Sequence, residues 1–145
     1  MKASKFFSTE QQAQILAAVK EAEMETSGEV RVHVESSHKG EVLDRASWLF
    51  KKMGMHKTAE RNGVLFYLAV NDRKFAIIGD AGINAKVPPG FWDDISELLK
   101  KNFKEGKFTE GLSEGISLAG EHLKKHFPHR PDDVNELPDE ISFDK

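Results

Sequence analysis

Residues Arg61–Pro89, RNGVLFYLAVNDRKFAIIGDAGINAKVPP, decide the fold of this chain. Val64 to Val70 is apolar at successive positions, as a central strand covered on both faces must be. Asn71 to Lys74 supplies turn residues, and Phe75 to Gly79 is a second apolar run. Together they predict an antiparallel hairpin. A hairpin returns the chain to its starting edge, so Asp80 is expected beside Arg61, Asn62 and Gly63. The stretch from Asp80 to Gly90 reads as a loop, closed by Pro88-Pro89-Gly90, which interrupts regular structure.

Upstream, Glu29–Glu35 alternates as EVRVHVE. Val30, Val32 and Val34 point one way and Arg31, His33 and Glu35 the other, which predicts a strand buried on one face. Between the two strands, Val42, Ala46, Leu49, Phe50 and Met53 follow the helical period, and Gly54 is the stop. Strand, helix, strand at this spacing implies a right-handed parallel crossover. At the N-terminus, Ser8 with Gln11 forms a capping box. It opens a helix bearing Ile15, Leu16, Val19 and Ala22, expected to run to about Thr26. Downstream, Phe91, Ile95, Leu98, Leu99 and Phe103 mark a third helix. Thr109 caps a fourth, with Leu112, Ile116, Leu123 and Phe127 on its apolar face.

The fold class that follows is α/β: a three-layer α/β/α sandwich around a small mixed sheet. Strands one and two are parallel, strand three is antiparallel, and about four helices cover the faces. Residues 1–127 form one domain. Residues 128–145 are expected to be a flexible acidic tail, with Ile141 and Phe143 as its points of docking. From His129 onward the chain carries six acids and two prolines.

Composition narrows the function classes. The chain has 145 residues, 39% hydrophobic and 31% charged, with a net charge of -3. That is a globular composition, and a chain of this length can bury roughly 70% of its unfolded surface. Lys and Arg are scattered, so no basic stripe points to nucleic acid. Cysteine is absent, which excludes disulfides, thiolate metal sites and cysteine nucleophiles. No apolar run approaches the ~20 residues of a membrane helix, and the first residues do not read as a secretory signal. The expectation is a soluble, cytoplasmic, monomeric protein with no membrane insertion.

Candidate chemistry sits at the edge where strands one and two begin and strand three ends. Hard cations need several oxygen ligands. Asp80 and Asp94 are the principal candidates, with Asp93 and Glu29 next and Asn84 as a carbonyl donor. The same residues also read as helix-start acids and turn formers. Arg61 and Arg45 are candidates to hold a phosphate as bidentate donors. No EF-hand, P-loop or G-x-S-x-G pattern occurs, and no catalytic residue can be named. Thr26-Ser27-Gly28 reads as a helix stop or an oxyanion cradle. His122 and His126 share a helix face, but HLKKH lacks the glutamate of a zinc-protease motif. Lys51, Lys52 and Lys57 with Trp48 suggest a basic aromatic surface.

Several blocks also resemble a known family. SGEVRVHVE, Arg45-Ala46, the hairpin with GDAGI, Phe103 to Gly106 and GLSEGI at Gly111 to Ile116 are similar to TPM domains. The resemblance spans about Phe6 to Phe127 and implies a three-layer α/β fold. It also implies one of several activities. Some family members are described as acid phosphatases, including plastid lumenal ones linked to photosystem repair. Others bind calcium or similar divalent ions, and some animal members associate with membrane channels. By that resemblance Asp80, Asp93 and Asp94 match the cation loop, and Ca2+ or another divalent ion such as Mg2+ is the expected cofactor. Metal-assisted hydrolysis of phosphomonoesters and a protein-interaction module with an unknown protein partner are the alternatives.

Overall fold

The computed structural model describes residues 2–130 and 140–143. Its centre is a four-stranded sheet in the order β3-β2-β1-β4, with five α-helices among the described residues. Strand β1 (Glu29–Glu35) runs parallel to β2 (Gly63–Ala69) with Glu29 opposite Gly63 and Glu35 opposite Ala69. Strand β3 (Lys74–Gly79) returns antiparallel along β2 with Val64 opposite Gly79. Arg73, at φ 54°, makes the tight turn between them. The expected mixed, three-layer arrangement is the one observed.

Helix α1 (Thr9–Glu25) starts at the Ser8–Gln11 capping box. It packs with α4 (Asp93–Lys104) and α5 (Phe108–Lys124) on one side of the sheet. Their apolar stripes meet Val30, Val32, Val34, Val64, Phe66 and Leu68 in the larger core. At Gly120 a Cβ would lie 2.9 Å from Ala22 Cβ, so glycine lets α5 sit directly on α1. Helix α2 (Val42–Lys52) ends at Gly54, whose φ is 73°. It covers the opposite side, where Ala46, Leu49 and Phe50 pack on Leu65, Tyr67, Ala69 and Ala76.

Two expectations are corrected. Strand β1 is buried on both faces, not one. Its polar side is not solvated: Arg31 meets Glu140 of the chain's last described segment, and His33 and Glu35 lie against each other, Ser142, Arg45 and Tyr67. The segment after Asp80 is not all loop: Ala81–Asn84 forms one helical turn, α3, capped by the Asp80 carboxylate. The expected docking points, Ile141 and Phe143, do dock. Ile141–Phe143 forms β4, parallel to β1 with Val32 opposite Ile141. Its alternation of apolar and hydroxyl residues suits a strand that docks on one side. The rest of the expected acidic arm, 131–139, lies outside the described residues. Among the described residues no helix is long and apolar enough to cross a membrane.

Candidate functional site

The hairpin delivers its two ends to one edge, as the chain direction requires. The Asp80 amide donates to the Gly63 carbonyl, the Glu29 amide to the Asn62 carbonyl, and the Asn62 side chain to the Ser27 carbonyl. The loop after β3 then crosses over residues 58–62. The crossing is tight at Gly82, where a Cβ would fall 2.1 Å from the Glu60 carbonyl oxygen.

Asp80 is committed to this crossing. Its oxygens accept two hydrogen bonds from Arg61, each 2.8 Å, and one from the Ala81 amide at 2.7 Å. Asn84 folds back to donate to the Gly79 carbonyl. Glu29 is buried at the start of β1. The Ser27 and Gly28 amides are also engaged, by the Phe127 carbonyl and the Thr26 hydroxyl. Thr26 Oγ1 itself donates to the Phe127 carbonyl. The segment is therefore a strand entry rather than an oxyanion cradle.

The two acids that open α4 stand apart from this set. Asp93 and Asp94 line a cavity of about 420 Å³ with Pro88, Gly90, Phe91, His122 and His126. Asp80 and Glu29 are not among its walls. Asp94 Oδ2 lies 2.6 Å from His122 Nε2, and Oδ1 accepts from the Ile95 amide. The hydrogen bond from His122 holds the Asp94 carboxyl below its ordinary range, and the amide adds to this. Asp93 makes no side-chain hydrogen bond or ion pair among the described residues and faces a second, adjoining cavity beside Asn84. The helix N-terminus stabilises both carboxylates through its dipole. Sequence spacing could pair His122 with His126 on one face of α5. It could not show that Asp94, on another helix, reaches His122 at the wall of the cavity. Among the described residues no three His, Asp or Glu side chains converge in an arrangement that could hold a metal ion.

Neither candidate phosphate clamp is available as a bidentate donor. Arg61 is on Asp80, and Arg45 holds both oxygens of Glu35 at 2.9 and 2.6 Å. Glu35, 2% exposed, is the centre of a network that sequence reasoning missed. It also accepts from the Tyr67 hydroxyl at 2.5 Å, and His33 Nε2 lies 3.4 Å away. Burial pushes the Glu35 carboxyl up, but the bonds from Arg45 and Tyr67 outweigh it and hold it below its ordinary value. Burial and the carboxylate together push the Tyr67 phenol well up. The far side of His33 meets Ser142 of β4, with Nδ1 2.7 Å from Oγ. The order Ser142–His33–Glu35 has the residue types of a hydrolytic triad, but His33 and Glu35 are buried, and Glu35 is held by Arg45 and Tyr67. The available signal was three polar residues at alternate positions of one strand.

Comparison with known proteins agrees with the fold and the motif blocks. The family model of the TPM domain matches residues 1–122. The structure is similar to the NMR structure of the BA42 protein from the psychrophilic bacterium Bizionia argentinensis. The two share 43% identity over 99% of each chain, with a TM-score of 0.93. The N-terminal domain of a P. gingivalis protein is similar at 21% identity, over 88% of this chain and 83% of that one, with a TM-score of 0.72. The N-terminal domain of the Corynebacterium glutamicum cg2496 protein is similar at 13% identity, over 94% and 80%, with a TM-score of 0.62. The last two likenesses are of fold. No curated protein sequence matches. With the family model covering most of the chain and the fold reproduced at both high and low identity, this chain belongs to the TPM-domain family.

Proposed function

We propose that this TPM domain binds a divalent cation, calcium before magnesium, at the cavity where α4 begins. The observation that carries the reading is the Asp93 carboxylate. It makes no side-chain hydrogen bond or ion pair among the described residues, and it shares a cavity wall with Asp94, Lys125 and the Pro88–Gly90 backbone. Two carboxylates and loop carbonyls are hard oxygen donors, and an irregular loop suits the variable coordination of calcium better than the strict octahedron of magnesium. Water would complete the shell. Asp94 must exchange its bond to His122 for the ion. With two carboxylates the affinity belongs at the weak end, on the order of 0.1–1 mM. Asp80 acts here by position: it pins the loop crossing from which Pro88–Gly90 hangs.

The test is a calcium titration followed by amide NMR and by melting temperature. A ligand that binds only the folded state raises its stability by linkage. Amides of 90–95 should shift in the wild type, with a rise in Tm that Asp93→Asn together with Asp94→Asn removes. A wild-type chain whose amides do not move at several millimolar calcium would end this reading.

A further inference from the structure

Without β4, β1 would be the edge of the sheet, with a row of unpaired backbone groups open to another chain. Its outer edge is furnished with side chains at each position that a docking strand would meet. Strand β4 is only three residues long and half-buried throughout. On one side Ile141 and Phe143 pack onto the larger core, opposite Val32 and Val34. On the other side Ser142 meets His33 at 2.7 Å, and Glu140, one residue earlier, meets Arg31. The four residues thus read acid, apolar, hydroxyl, apolar, and each has its own receptor on β1.

The acid receptor is incompletely filled. Arg31 is a buried guanidinium, 7% exposed. Glu140 reaches it through a single contact of 3.2 Å and remains 59% exposed. Arg31 Nε is buried with no hydrogen-bond partner among the described residues. A guanidinium is built to hold a carboxylate through two parallel bonds, and a buried donor left unmade is costly. A carboxylate seated more squarely than Glu140 would fill that donor. The chain's own strand is therefore an adequate occupant of this edge rather than the best one.

We propose that the outer edge of β1 is a strand-acceptor slot for an extended peptide reading acid–apolar–hydroxyl–apolar, and that Glu140–Phe143 occupies it in competition with such a partner. Backbone pairing would supply affinity and the alternating side-chain receptors specificity, the mode of strand addition at sheet edges. The slot lies on the opposite margin of the sheet from β3, and this inference is independent of the cation reading.

The experiment uses the full chain and a labelled peptide, acetyl-DEISFD-amide, which copies residues 139–144. Covalent attachment presents β4 at an effective concentration on the order of millimolar. Disabling it with Ile141→Asp and Phe143→Asp should therefore tighten peptide binding about tenfold or more relative to wild type. A peptide with Lys in place of Glu should lose that gain. Amide shifts should fall on Val32 to Val34. A second measurement does not depend on the variant's folding. In the 15N-labelled wild type, excess peptide should move the Ile141–Phe143 amides toward the values of a detached segment. The proposal is overturned by equal peptide affinity for variant and wild type, or by wild-type amides unmoved at millimolar peptide. It is also overturned by a concentration-dependent dimer that the peptide does not dissociate, which would assign the edge to a second copy.

Discussion

Replacing Arg45 by Met tests the account of the buried polar face most sharply, because it predicts a sign as well as a size. Glu35 is 2% exposed and carries a full charge at neutral pH. Arg45 contributes two charge-assisted bonds to it, at 2.9 and 2.6 Å. Removing one partner of a buried pair strands the other, at about 3–5 kcal/mol. Arg45 itself is 33% exposed along its side chain, so water screens part of the attraction and the lower end applies, about 3 kcal/mol at pH 7. For a chain of this size that is a fall in Tm of about 10 °C. Met keeps the aliphatic stem over the sheet but loses the stacking of the guanidinium on Trp48, 4.8 Å away. That loss is about 0.5–1 kcal/mol and independent of pH.

The pH dependence separates the two contributions. In the wild type the folded-state pKa of Glu35 lies below its unfolded value. Its stabilisation is therefore present above the unfolded pKa, about 4.3, and is lost as pH falls through the folded value. In the variant the largest remaining influence is burial, which raises the pKa. There, folding favours the protonated acid, so stability is gained as pH falls and lost as it rises through the folded value. The stability gap should accordingly be widest near pH 7, narrow as pH falls through the variant's raised folded value, and approach the stacking loss alone only below the wild-type folded value. Urea titrations at several pH values, read by far-UV circular dichroism rather than by the fluorescence of the perturbed Trp48, measure it. A gap that stays constant from pH 7 to pH 4.5 would refute the assignment of Glu35 as a buried, charged acceptor.

Two further outcomes follow from the crossing loops. Gly82→Ala places a methyl 2.1 Å from the Glu60 carbonyl oxygen and 2.6 Å from that of Arg61. The backbones must part, at about 3 kcal/mol, the upper end for overpacking, and a melting curve unchanged from wild type would contradict the packing described. Asp80→Asn keeps the turn before α3 but removes the ion pair to Arg61, which is 49% exposed along its side chain. The fall in Tm should be small, with the calcium-induced rise in Tm retained; loss of that rise would return Asp80 to the ligand set.

Most of the fold was legible because its main elements announce themselves locally. The Ser8–Gln11 box, the alternation of Glu29–Glu35 and the Val64–Val70 run each have one physical reading, and chain direction then places their ends. Segments whose structure depends on a distant partner were not legible in this way. Ala81–Asn84 is too short to be a helix by periodicity, and it forms because Asp80, held by Arg61, caps it. Ile141 and Phe143 read as docking points in an acidic, proline-flanked tail, but the strand they form depends on the edge that β1 offers.

The same distinction explains the site. Acids can be listed from sequence, but a carboxylate's availability is decided by the cations that the fold brings to it. Asp80 and Asp94 look equivalent as residue types. Folding gives the first a bidentate arginine and a helix cap in a buried crossing, and gives the second a histidine on the wall of an open cavity. An arginine and a carboxylate locked through two bonds have little left to exchange with an ion, whereas a single bond to a histidine can be exchanged for one. Arg31 shows the converse on the other margin of the sheet, a buried cation whose partner meets only part of its hydrogen-bonding capacity. Binding capacity in this domain is therefore to be sought where folding leaves a charge partly answered, and two such places among the described residues are the opening of α4 and the outer edge of β1.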